Sequence, residues 1–258
     1  MPLLLRAAWG ANLAPPELIG ADHISAVDAW HGRLMVLAWT ILLPLGILVA
    51  RYLKVMPGQD WPGQLDNRRW WHGHLALQIG GVLCMSAAIA VVWNKTRQTG
   101  FGDSLHTTLG WLVVLLGWMQ LLGGYLRGSK GGPSRNEEPH DLATAQRGDH
   151  YDMTHRRVVF EWMHKLGGYT AVIIGVAVTA LGLKRADAPL WMWWVIVLWW
   201  TLLLVAFGWL QRMGRCIDTY QAIWGPDPRH PGNARHAIGW GISRYTAAEF
   251  RRRFGSNR

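Results

Sequence analysis

His31, His74, His106 and His164 each stand near the N-terminal end of a long apolar run. An ionisable side chain placed in hydrocarbon is costly, and where one is retained it marks a function. Imidazole suits metal ligation, because one ring nitrogen can bind a metal while the other donates a hydrogen bond that fixes the ring. Glycines follow the histidines at recurrent spacing. Gly110 and Gly117 come four and eleven positions after His106, and Gly168 and Gly175 repeat both offsets after His164. Gly81 comes seven after His74. At about 3.6 residues per turn these offsets return to the face of the histidine. A missing side chain there either leaves room for a flat ligand or lets two helices approach closely.

The elements that must carry these residues are membrane helices. Half of the residues are hydrophobic, only 16% are charged, and there are 18 tryptophans, which favour the headgroup layer at span ends. The expected fold is all-α, a polytopic bundle with spans at about 27–53, 70–93, 105–126, 158–183 and 190–212. Each is long enough for roughly 30 Å of hydrocarbon. Pro44 is expected to kink the first span, which neighbouring groups can tolerate. The expected domains are an interfacial segment at 1–24, the membrane bundle at 25–212 and a basic tail at 213–258. Residues 1–22 lack a basic head followed by an uninterrupted apolar core, so no cleaved leader is expected. Cys84 and Cys216 lie in different settings and suggest neither a disulfide framework nor a metal site.

The formal charge of +10 would suggest nucleic acid in a soluble protein. Here the excess lies beside the spans, so the expected partner is anionic lipid and not nucleic acid. Arg6, Lys95, Arg97, Lys184 and Arg185 lie on one face of a five-span topology, and nineteen basic residues lie on the other, nine of them from Arg212 onward. The positive-inside rule then places the N-terminus outside and the tail in the cytoplasm.

Antiparallel spans sort the histidines by level. His31 and His106 enter from the outer face, His74 and His164 from the inner face. Two imidazoles per level, on different helices, fill both axial positions of one haem iron, which favours electron transfer over oxygen binding. Two bis-histidine haem b sites are therefore expected in a four-helix core, with the histidine-free fifth span outside it. The absence of thiolate or carboxylate companions argues against zinc. His72 points about 200° away from His74. His23, His140, His150, His155, His230 and His236 are read as solvated loop or tail residues. Arg33 beside the outer pair, and Arg51, Arg69 and Lys165 beside the inner one, are candidate partners for haem propionates or an anionic donor. Anchoring to lipid phosphate is the commoner role for such residues.

These residues resemble the cytochrome b-561 family, the transmembrane ascorbate or ferric reductase type, over roughly residues 27–212. Ser104-Leu105-His106 resembles its Ser-Leu-His-Ser-Trp motif, with Thr107 and Thr108 in place of the last two residues. His74-Leu75-Ala76-Leu77-Gln78 is similar to a His-to-Gln segment of relatives fused to an extracellular domain. Leu48-Val49-Ala50-Arg51 echoes a donor motif in which an arginine meets ascorbate, and Arg69 takes the place of a basic donor-side residue, usually lysine. The resemblance implies the same haem pairing, His31 with His106 and His74 with His164. The family's first helix has no counterpart here. The loop bearing Gly148-Asp149-His150-Tyr151-Asp152 and the tail segment Asp218-Thr219-Tyr220-Gln221-Ala222-Ile223-Trp224-Gly225-Pro226 look like features of bacterial members. They shift the expected donor from ascorbate toward a partner protein or quinol.

The leading expectation is thus a di-haem b cytochrome carrying electrons across a bacterial inner membrane, an oxidoreductase without a general base or nucleophile. Its electron donor would dock near Arg51, Arg69 and Lys165, and its acceptor near Ser104 and His106. A haem-bearing membrane-anchor subunit of a larger complex is the alternative, favoured by the bulky 127–156 loop and by Trp224 and Trp240. A transporter using intramembrane histidines as proton relays is a third reading, and it predicts no haem.

Overall fold

A computed structural model describes residues 24–255 other than 101, 103 and 134–145. Among the described residues the chain is helical with no strand, and five helices are long and apolar enough to cross a membrane. They are α1 (Ala26–Tyr52), α2 (Arg69–Thr99), α3 (Leu105–Tyr125), α4 (His155–Arg185) and α5 (Leu190–Arg212). The proposed interfacial segment at 1–24 falls almost wholly outside the described residues.

Local chemistry sets the helix ends. The side chains of Ser25, Ser104 and Thr154 accept from the backbone N–H groups of Asp28, Thr107 and Arg157, capping α1, α3 and α4. Such caps satisfy donors that the first turn leaves without partners. α2 and α4 run past the hydrophobic limits expected for them, into the charged residues at their ends. Pro44 acts on α1 in an unforeseen way. The seven residues Val36–Leu42 just before it form a π-helix, a form that often marks functional sites. Pro44 has no N–H to give the carbonyl of Thr40, and Trp199 Nε1 donates to that carbonyl instead, at 2.7 Å. The proline thereby leaves an acceptor that fastens α5 to the bundle.

α1 to α4 form a closed ring in which α1 packs on α2, α2 on α3, α3 on α4 and α4 on α1. α5 lies outside and touches the C-terminal part of α1, as expected for the helix without a histidine. Trp39, Leu43, Val82, Met85, Val113 and Ala171 form the centre of the bundle.

The segment after α5 is folded. It contains α6 (Thr219–Trp224) and α7 (Ala247–Phe254), and it packs over one end of the bundle with the 54–66 connection and with residues 128–133 and 146–153. Val55, Trp61, Ile217, Ala222 and Phe250 make one apolar cluster, and Tyr151, Met153, Tyr220, Trp224 and Ile238 another. Cations hold this cap together and to the bundle through backbone carbonyls, Lys54 and Arg215 buried and Lys165 half-buried. Lys54 Nζ donates to Ile217 (3.0 Å), Lys165 Nζ to Ile238 (2.7 Å), and Arg215 to Val55. Within the cap, Asp218 accepts the N–H of Tyr220 at the start of α6 and pairs with Arg244 at 2.6 Å.

Asp218 is buried, so its loss leaves the Arg244 guanidinium without its counter-charge. A quarter of the Arg244 side chain is exposed, so breaking this partly buried pair costs less than breaking a fully buried one, for which the loss is about 3–5 kcal/mol. Asp218→Ala is expected to make residues 213–254 susceptible to limited proteolysis while the membrane helices keep their helical circular dichroism.

Candidate functional site

The ring centres of His31 and His106 lie 6.3 Å apart with ring planes at 79°, and those of His74 and His164 lie 6.4 Å apart at the same 79°. Four positions widely separated in sequence thus make two pairs of matching geometry, at opposite ends of the ring of helices. A single iron between two imidazoles, about 2 Å from each nitrogen, would hold ring centres a little over 6 Å apart. On this criterion both pairs fit a bis-imidazole iron.

The other ring nitrogens cross to neighbouring helices. His31 Nδ1 lies 3.1 Å from the carbonyl of Ala88 on α2, and His74 Nδ1 lies 2.9 Å from that of Gly46 on α1. His106 Nδ1 lies 3.2 Å from the carbonyl of Val178 on α4. A carbonyl only accepts, so in these three rings Nδ1 carries the proton and Nε2 keeps its lone pair. His164 differs, because its Nδ1 faces the side chain of Gln120 on α3. With its amide nitrogen turned toward His164, Gln120 lies 2.9 Å from both Nδ1 and the His164 carbonyl, and its oxygen accepts from Gly168 N–H at 3.3 Å. In that orientation, which satisfies both amide atoms, His164 Nδ1 accepts and the neutral ring carries its proton on Nε2, so Gln120 governs the tautomer of this one histidine. Sequence reasoning singled out Gln78, which donates to the Leu43 carbonyl, and missed Gln120. The available signal was a lone glutamine in the apolar run of α3, fourteen residues past His106 and within about 40° of its face.

The glycines divide between the two roles considered for them. A side chain added at Gly175 would strike the Trp39 ring at 2.7 Å, and one at Gly117 would meet Met85 at 3.1 Å and Trp39 at 3.5 Å. Gly81 likewise seats Leu43. These three serve close packing around Trp39 and Leu43. Gly110 faces open space, and Gly168 meets only Gln120 at 3.6 Å. The glycines four positions after the α3 and α4 histidines are the ones that leave room.

The His74–His164 end opens into a cavity of about 900 Å³, the size range of cofactor pockets. Its walls include Trp39, Leu43, Val82 and Ala171 at the floor, and Arg51, Lys165, Arg127 and His150 above. Of the basic candidates, the structure brings only Arg51 and Lys165 to this cavity. Arg51 is fully engaged, donating to Tyr169 Oη (2.8 Å), Tyr52 Oη (3.1 Å), Gln211 Oε1 (2.9 Å) and the Trp240 carbonyl (2.8 Å). Lys165 also pairs with Glu161 at 2.7 Å. Arg33 is exposed over the Trp30 ring, and Arg69 is exposed outside the cavity wall. His150 and His230, expected in solvent, are buried, whereas His155 and His236 are exposed, and His23 and His140 lie outside the described residues. Arg127, Arg157 and His150 reach the cavity from the connection between α3 and α4 and its edges, a tertiary arrangement with no local sequence signal.

Residues 30–128 match the family model described as eukaryotic cytochrome b561. The chain is 28% identical to a putative ferric-chelate reductase 1 homolog of Drosophila melanogaster, over 75% of this chain and 26% of that protein. It is 30% identical to a cytochrome b561, DM13 and DOMON domain-containing protein of Arabidopsis thaliana, over 60% of this chain and 14% of that one. Human ferric-chelate reductase 1 is 27% identical over 65% of this chain and 24% of its own length. The chain thus spans about a quarter or less of these curated relatives. No solved structure matches it.

The two kinds of glycine separate in an experiment. Gly175→Ala overpacks the Trp39 contact and is expected to cost about 1–3 kcal/mol, read as a lower thermal midpoint. Gly110→Leu is expected to leave the thermal midpoint within a degree or two, because nothing lies within 4 Å of an added Cβ there. Equal thermal losses in both variants would make Gly110 a packing residue too.

Proposed function

The chain belongs to the cytochrome b561 family, and on that premise we propose that it is a membrane electron carrier with two haem b groups. One lies between His31 and His106 and the other between His74 and His164. The observation that carries the reading is the repeated ring geometry, 6.3 and 6.4 Å at 79°, at two ends of one bundle. Haem supplies a reversible one-electron couple when bound, and two imidazoles leave no axial position for oxygen.

The chain's own residues hold and orient. The carbonyls of Ala88, Gly46 and Val178 fix three rings by their Nδ1 protons, and Gln120 orients the fourth by donating to its Nδ1, so that ligation through His164 Nε2 would require that ring to give up its Nε2 proton. Trp39, in the glycine notches between the two levels, excludes water from the centre of the bundle. Arg51 and Lys165 present positive charge at the chamber. The basic excess at the capped end supports a topology with that end in the cytoplasm of a bacterial cell and the N-terminus in the periplasm. Ferric-chelate reductases among the relatives make a ferric chelate one candidate for the acceptor at the His31 end, and a quinol or partner protein remains the candidate donor. The described parts of the connection between α3 and α4, 128–133 and 146–153, and the C-terminal segment, which could have served a larger complex, pack on each other and on their own bundle. That supports a self-contained carrier over an anchor subunit.

Two haems per chain, both six-coordinate and low-spin, are expected in a pyridine haemochrome assay and absorption spectrum of fully loaded protein; one or none overturns the reading. His106→Ala and His74→Ala are expected to remove different spectral components, each leaving about half of the haem. At low salt Arg51→Gln is expected to slow reduction by an anionic donor roughly three- to fivefold, the effect shrinking as salt screens the charge. Arg69→Gln, outside the chamber wall, is expected to match the parent protein in the same stopped-flow measurement.

A further inference from the structure

Among the described residues the roof of the chamber holds more cations than carboxylates: seven lysines and arginines line the cavity against two acidic side chains. Asp66 is shared by Arg68 and Lys130, and Glu161 by Arg157 and Lys165. Arg127 has no acidic partner among the described residues, and its guanidinium lies over the Trp71 ring at 4.0 Å. Burial and the neighbouring charge of Arg157 both push its pKa down, as expected of a cation short of counter-charge.

His150 supplies the second observation. It is 3% exposed, it lines the same cavity, and its Nε2 has no hydrogen-bond partner. A buried polar atom without a partner costs about 1–3 kcal/mol, so a group that meets it is favoured. The loop is built to hold it there. Gly131, with φ +64°, and Gly148 cross so closely that a side chain on either would lie within 2.6 Å of the other's backbone. The Ser129 and Lys130 carbonyls accept the N–H groups of His150 and Tyr151, and the imidazole is backed by Tyr220 and Trp224. Burial and the charges of Arg157, Lys130 and Arg127 drive the His150 pKa to about 3, so the ring is neutral and able to donate from Nε2.

We propose that His150 Nε2 and Arg127 form a carboxylate-binding site in the roof of the chamber. A neutral N–H donor and a guanidinium short of a partner match a carboxylate's two oxygens. The surplus of positive charge among the described lining residues balances its anion. Two sources supply that chemistry: a propionate of haem held between His74 and His164, or a free small carboxylic acid. Only the first source rests on the proposed function.

The test uses purified holoprotein with malonate as probe, followed by calorimetry and by redox titration of both spectral components. The variants are His150→Leu, His150→Gln and Arg127→Gln. Saturable malonate binding that weakens at least tenfold in His150→Leu and Arg127→Gln assigns the site to a free acid. No malonate binding, with the His74–His164 component alone shifting its midpoint potential in those two variants and recovering in His150→Gln, assigns it to a propionate. Unchanged potentials at unchanged haem content, with no malonate binding, overturn the proposal. Arg127→Gln, whose guanidinium touches only the Trp71 ring among the described contacts, keeps the test readable if His150→Leu loosens the cap. Protein that carries no haem refutes the proposed function separately. In that case calorimetry alone decides this one: binding sustains it and no binding overturns it.

Discussion

An imidazole in hydrocarbon has two nitrogens to satisfy and no water to satisfy them, and the bundle is arranged around that requirement. The Nδ1 contacts run from α1 to α2, from α2 to α1, from α3 to α4 and from α4 to α3. The facing rings run the other way, α1 to α3 and α2 to α4. Four side chains thereby link every helix of the ring to two others. Helices in lipid gain little from hydrophobic burial and associate through close packing and polar contacts. Here the polar contacts and the small-residue notches alternate along the same helix faces, histidine first and glycine next.

The same reasoning explains the cap. Arg51, Lys54 and Arg215 lie at or just past helix ends and Lys165 nearly three turns into α4, and among the described residues only Lys165 has a carboxylate partner. Backbone carbonyls of 217, 238 and 240 come down from the C-terminal segment to accept from three of these, and the Val55 carbonyl accepts from Arg215 within the cap. Hydrogen bonds to charged groups contribute about 1.5–3 kcal/mol each, enough to order a segment whose composition reads as a solvated tail. Its apolar clusters then form between stretches far apart in sequence, such as Trp61 with Phe250 and Tyr151 with Trp224.

That contrast also shows what the sequence could disclose. Membrane helices and the level of each histidine are periodic, local properties, so the five helices and the two pairs were legible from spacing. The glycine pattern was legible as a pattern, but its meaning was not. Gly110 and Gly175 look alike in sequence, and only the position of Trp39 separates them. Arg51 and Arg69 were indistinguishable as basic residues near a helix end. Tyr169, Gln211 and the Trp240 carbonyl take up the first, and solvent takes the second. His150 was misjudged because its burial depends on a glycine crossing and on aromatic residues from 70 positions away.

The two ends of the bundle are consequently unequal in their electrostatics. The His31–His106 pair is reached by short connections carrying few charges, and the Asp28 carboxylate there pairs with Lys95 at 2.6 Å. The His74–His164 pair faces a chamber with surplus positive charge, much of it held by neutral carbonyls that orient a cation without cancelling it. At an effective dielectric constant of about 20, one uncompensated charge about 10 Å away stabilises an added electron by on the order of 1–2 kcal/mol. A redox group at the capped end therefore holds its electron more tightly than an identical group at the open end, by an amount that an anion bound in the roof reduces. With the proposed site filled, that anion would set how far two such groups differ, through charge alone.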